Sequence, residues 1–152
     1  MILEFGQYRV NIDVEKTRNF YESAEPISAG CSCANCRNFE KAVTLLPEDV
    51  QTFFSNLGVD IQKPHEVYAN CQNADGTLLY GGFYYLCGTL SAGKSVWVTT
   101  APGIAHWDDA LAFPITKDFR ISLQQADLST PKLLFEISAK IPWVLKEETI
   151  PL

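Results

Sequence analysis

After Pro64 the hydrophobic period of the chain changes from that of a helix to that of a strand, and this change constrains the fold more than anything else in its 152 residues. Leu133, Phe135, Ile137, Ala139 and Ile141 alternate with Leu134, Glu136, Ser138 and Lys140. Phe119, Ile121 and Leu123 alternate with Arg120, Ser122 and Gln124. Side chains of a strand point alternately to its two faces, so such runs bury one face. A strand over 66–71, the turn Asn73-Ala74-Asp75-Gly76 and an aromatic strand over about 78–90 form a hairpin, since Asp-Gly between apolar runs marks one. Ser91-Ala92-Gly93-Lys94 reads as a second turn, leading to a strand Val96-Trp97-Val98-Thr99-Thr100. Ala101 to about Asp118, broken by Pro102-Gly103 and Pro114, reads as a long loop. A further strand comes early, where Tyr8, Val10, Ile12 and Val14 alternate with Arg9, Asn11 and Asp13.

Between the early strand and Pro64 the period is helical. A first helix, capped by Ser32 or Asn35, runs to about Leu46 with Cys36, Phe39, Val43 and Leu46 on one face. Pro47 suits the first position of a second helix, and Glu48 and Asp49 suit its positive end. Val50, Phe53, Phe54 and Leu57 form its apolar stripe and Gly58 its stop. Six strands joined by tight turns, with a helical hairpin in the N-terminal half, predict a single α+β domain over residues 1–152. Its sheet is antiparallel, curled or split into two layers.

Composition narrows function mainly by exclusion. With 47% hydrophobic and 20% charged residues the chain is ordinary globular protein, long enough to build a core without disulfides or metal. No apolar run reaches the roughly 18 residues of a spanning helix, and the opening Met1-Ile2-Leu3-Glu4-Phe5-Gly6 lacks the pattern of a secretory signal. Neither a membrane nor an export route is therefore expected. A net charge of −6 disfavours duplex nucleic acid as a partner. The acidity lies in residues 1–76, with eleven acidic and six basic side chains, as a solvated helical surface would have. Five cysteines, an odd number, fit a reducing cytoplasm better than a disulfide framework. Cys87 reads as a small buried hydrophobe.

Gly88-Thr89-Leu90-Ser91-Ala92-Gly93-Lys94-Ser95 matches the phosphate-loop pattern letter for letter. The chemistry needs a helix after the Lys-Ser, so that backbone N–H groups and the helix dipole converge on phosphate. The β-branched and aromatic Val96-Trp97-Val98-Thr99-Thr100 makes a strand instead, so the match is read as a turn.

Cys31, Cys33 and Cys36 place three thiols within six residues, at or just before the first turn of a helix. Residues i and i+3 share a helix face, so Cys33 and Cys36 can address one atom. The positive helix end favours the thiolate that metals and electrophiles need. Cys31 would be a third ligand of a tetrahedral zinc and Cys71 a fourth, with His65 or Glu66 as alternatives. A redox dithiol is a further reading, but it lacks a βαβ frame. The bland reading puts Cys36 in the core beneath its helix and leaves Cys31 and Cys33 as reduced thiols near a loop surface. No second C-x-x-C is present to enforce zinc.

His106-Trp107-Asp108-Asp109 brings an imidazole and two carboxylates together in the long loop, with no nucleophile beside them. Tyr80, Phe83, Tyr84, Tyr85 and Trp97 can line a cleft or stack bases, but few basic residues surround them and core packing accounts for most.

Three stretches resemble those of a family of small bacterial proteins with no assigned activity. They are Gly30-Cys31 through Cys36-Arg37-Asn38-Phe39, Tyr80-Gly81-Gly82-Phe83-Tyr84, and Phe135-Glu136-Ile137-Ser138 with Ile141-Pro142-Trp143. The resemblance implies a bacterial cytoplasm and assigns no residue a role. The reading favoured by the sequence is a small non-catalytic cytosolic binding or adaptor protein, without cofactor, whose partner is a protein or small molecule. The alternative is a thiol- or zinc-dependent protein using Cys31, Cys33 and Cys36.

Overall fold

The computed structural model describes residues 1–127 and 131–152. Among these residues four helices are formed: α1 (Val14–Ser23), α2 (Ile27–Gly30), α3 (Ala34–Ala42) and α4 (Glu48–Asn56). Nine strands appear among the described residues: β1 (Ile2–Phe5), β2 (Tyr8–Ile12), β3 (Glu66–Gln72), β4 (Leu78–Ala92), β5 (Trp97–Ala101), β6 (Ile104–Trp107), β7 (Phe113–Thr116), β8 (Phe119–Asp127) and β9 (Lys132–Ile141). Seven of them form one antiparallel sheet in the order β1-β2-β4-β9-β8-β7, with β3 also on β4. β5 and β6 form a separate hairpin. The α+β class, the antiparallel sheet and the helical segment in the N-terminal half are as the sequence pattern requires.

The core follows from the alternation. All five inward residues of β9, from Leu133 to Ile141, are buried, as are Phe119, Ile121 and Leu123 of β8 and Leu78, Tyr80, Tyr84 and Leu86 of β4. Onto this face α4 lays Phe54, whose ring stands 5.0 Å from those of Tyr84 and Phe135 and 5.6 Å from that of Phe119. Edge-to-face and tilted pairs of this kind add to the area buried. The sheet curls so far that Phe5 of β1 meets Phe113 of β7 at 5.3 Å, although these strands end the path. Phe53 packs against both.

Several local expectations need correction. The early strand ends at Ile12, because the Asp13 side chain accepts from the Lys16 N–H and caps α1. That helix buries Thr17 and Tyr21 and had no place in the sequence reading. Cys33, rather than Ser32 or Asn35, occupies the N-cap of α3, and Pro47 the N-cap of α4. α3 tightens into a 3-10 turn at Val43–Leu45. The supposed loop over 101–118 contains β6, a 3-10 turn (Asp109–Leu111) and β7. Pro102-Gly103 is a hairpin turn, with Ala101 paired to Ile104, and Pro114 is tolerated because β7 ends the sheet path. Nine strands therefore replace the six expected. Gly93-Lys94-Ser95 links β4 to β5 with no helix after it, so the phosphate-loop letters lack their chemistry. Gly58, at φ +79°, does stop α4; a Cβ there would meet the Val14 carbonyl oxygen at 2.6 Å.

Phe54 is the ring common to the helix layer and three strands, so Phe54→Ala should lower stability by about 3–5 kcal/mol. Urea denaturation followed by far-ultraviolet circular dichroism measures the loss.

Candidate metal centre

The three clustered thiols sit at the elbow between two helices. Cys31 is the C-cap of α2, its N–H donating to the Ile27 carbonyl at 3.1 Å. Cys33 is the N-cap of α3, its carbonyl accepting from the Arg37 N–H at 3.0 Å. Cys36 is the third residue of that helix. An N-cap side chain and the side chain three residues on face each other, the relation a capping box uses. Here both are thiols. The Sγ atoms of Cys31, Cys33 and Cys36 all lie within 4.8 Å of one another, and those of Cys31 and Cys33 are 3.2 Å apart, in a thiol–thiol hydrogen bond. Cys36 is buried, and Cys31 and Cys33 are exposed.

The elbow is fixed from several sides. In α2 the Ser28 N–H and hydroxyl both donate to Glu40 of α3, at 3.2 and 2.8 Å. The Arg37 guanidinium donates to the Ser32 carbonyl between the cysteines, and with its other nitrogens to both Glu148 carboxylate oxygens at 2.6 and 2.8 Å. Tyr80 of β4 donates its hydroxyl to the Asn35 carbonyl at 2.7 Å, and its ring packs on Phe39 at 5.3 Å. Asn38, fully buried, donates to Tyr80 Oη and to the Pro142 carbonyl, and accepts from the Val144 N–H. The first turns of α3 are thereby held between the sheet and the segment after β9.

Electrostatics divide the thiols. Cys31 is held below the ordinary thiol range, first by the Cys33 backbone N–H and then by the Cys33 and Cys36 thiols. Burial pushes the Cys36 thiol up, and its bonds to the other two sulfurs add to the rise. Burial likewise takes the neighbouring Tyr80 hydroxyl to about 12. The two shifts run in opposite directions, so Cys31 is the thiol more easily ionised and Cys36 the one held neutral.

The other sequence candidates lie elsewhere. Among the described residues, no His, Asp, Glu or further Cys joins the mutually close group of three. Cys71 is exposed on β3, beside the register shift between Ala69 and Cys71 and opposite Leu79. Glu66 opens the same strand, and the His65 ring lies tilted against Phe83 at 5.2 Å and edge-on to Tyr85 at 5.1 Å. His106 is exposed on β6, with Nδ1 3.4 Å from Thr100 Oγ1. Asp108 caps the 3-10 turn after it and Asp109 accepts from the Trp107 indole, so both carboxylates have local structural partners. Cys87 is half-buried on β4. Arg37 and Asn38 escaped the sequence reading as supports of the site, because their partners lie more than 100 positions away.

Comparison with models of protein families, with curated proteins and with solved structures returned no match.

In the metal-free protein, Cys31 should alkylate first with iodoacetamide and Cys36 last, since exposure and thiolate share both favour Cys31. Because its pKa is lowered, Cys31 should keep reacting as pH falls below the point where an ordinary thiol is protonated. Peptide mapping of partially alkylated protein measures the order. Asn38→Ala should cost about 2–3 kcal/mol, since it strips partners from the Val144 N–H and the Pro142 carbonyl; denaturant melts read this directly.

Proposed function

We propose that this protein is a binding protein whose ligand is a thiophilic divalent ion, zinc above all, held by Cys31, Cys33 and Cys36. The convergence of these three sulfurs within 4.8 Å carries the reading. Tetrahedral zinc with Zn–S bonds of about 2.3 Å places its sulfurs about 3.7 Å apart, so the elbow needs shifts of no more than about 1 Å in sulfur–sulfur separation to hold it. The donor set is sulfur alone, which selects zinc over magnesium or calcium. Three thiolates also gain from the positive end of α3 beneath them.

The arrangement supports binding rather than catalysis. His106, the imidazole flagged beside carboxylates, stays with its own turn and is absent from the thiol group. The surrounding bonds, from Glu40, Tyr80, Asn38 and Arg37, hold an ion's ligands in place. A bacterial cytoplasm suits this reading, because five free cysteines need a reducing compartment. Loading such a site would fasten α2, α3 and the segment around Glu148 to one another, giving a partner a fixed surface to recognise.

Protein purified without a polyhistidine tag should carry or take up about one zinc per chain, as a single tetrahedral centre requires. Cys33→Ser, at an exposed position, should lose stoichiometric uptake while keeping the native circular dichroism spectrum. Elemental analysis and competition with a chromogenic chelator test this. A wild-type chain that neither retains zinc nor competes with the chelator would sink the reading.

A further inference from the structure

A zinc ion prefers four ligands, and the described residues gather three. The possible protein donors nearby are otherwise placed. The Glu148 carboxylate is held by both guanidinium nitrogens of Arg37. Cys71, Glu66 and His65 belong to or adjoin β3 and lie outside the group of close ligand atoms. The sulfurs themselves are asymmetric: Cys36 is buried against the core while Cys31 and Cys33 are exposed. An ion on these sulfurs therefore has the protein on one side and solvent on the other.

Resting on the zinc-site reading above, we infer that the centre is an open one, with its fourth position held by exchangeable solvent that a small neutral nitrogen donor of the imidazole class can displace. Charge favours a neutral donor over an anionic one. A divalent ion on three thiolates carries a net −1, which a neutral imidazole leaves unchanged and a thiolate would raise to −2. The cation beside Cys33 is Arg37, and its charge is already matched by Glu148. Imidazole is moreover a borderline donor suited to zinc and cobalt. In this state the protein would accept a ligand at the metal without rearranging its fold, as sites with three protein ligands and one exchangeable position do.

The test uses cobalt(II) as a spectroscopic stand-in for zinc, on the full chain and on Cys71→Ser. The expected result is one cobalt per chain with sulfur-to-cobalt charge-transfer bands. Added imidazole should then shift the visible d–d bands saturably, with the ion still co-eluting with the protein. Cys71→Ser should behave identically, and 2-mercaptoethanol should not shift the bands at the imidazole concentrations that saturate the response. A wild-type spectrum indifferent to imidazole would mean a coordinatively complete site, and would overturn the inference while leaving the zinc reading intact. So would loss of the four-coordinate spectrum in Cys71→Ser alone, or one cobalt shared by two chains. A response to 2-mercaptoethanol without one to imidazole would overturn the neutral donor. Failure to bind cobalt or zinc at all would remove both this inference and the reading beneath it.

Discussion

The backbone of β4 has to be satisfied along fifteen residues, and most of the structure is arranged around that demand. Its first ten residues pair with β9, its first six face β3, and its last five reach β2. Unpaired backbone groups at the centre of a sheet are costly, so three partners in turn must come to it. β3 can come close only because Gly82, at φ +155°, has no Cβ; one would stand 2.2 Å from the Glu66 carbonyl oxygen. From the same strand Tyr80 and Tyr84 project into the core and use their hydroxyls to position what lies over it. Tyr84 donates to the Ile61 carbonyl after α4, and Tyr80 to the Asn35 carbonyl in α3. A buried phenol must find a partner, and here the partners are the backbones of the helical layer. The thiol elbow and the start of α3 are thus suspended from the central strand by two hydrogen bonds at the Tyr80 hydroxyl and one ring contact.

Much of this was legible in residue order, and what was not has physical causes. Period-two patterns in β8 and β9, and the Asp-Gly turn before β4, are local signals that reveal strands directly. The break at Pro47 and the stop at Gly58 are equally local. α1 was hidden because Tyr8-Arg9-Val10-Asn11-Ile12-Asp13-Val14 keeps alternating through the N-cap. The Asp13 that ends the strand looks like its next outward residue. β6 and β7 were hidden by prolines that normally break strands. One lies in a hairpin turn and the other in a strand at the end of the sheet path, where each costs little.

For the site, the three cysteines were visible as a cluster, since they are adjacent in sequence. Their roles as C-cap, N-cap and third helical residue were not, because that requires knowing that Ile27–Gly30 is a separate turn of helix. Cys71 illustrates the opposite limit. Spacing along the chain allowed it as a fourth ligand, but a strand places its side chains by register, and the shift between Ala69 and Cys71 sets Cys71 opposite Leu79. No pattern in the sequence encodes that shift.

The size of the core decides what a bound ion can do here. A chain of this length buries enough apolar surface to fold without metal, unlike the small domains whose zinc is their core. The binding energy is therefore not consumed in folding the whole chain. On the zinc reading it would act on the parts that the ligands join: α2 through Cys31, the first turn of α3 through Cys33 and Cys36, and, through Arg37, the segment that carries Glu148. The sulfurs are already assembled, so little ordering cost opposes the ion. What opposes it instead is the removal of protons from Cys36, whose burial favours the neutral thiol. On the zinc reading, an elbow built this way would hold its ligands ready and could release its ion without unfolding, unlike a structural zinc domain whose fold depends on the metal.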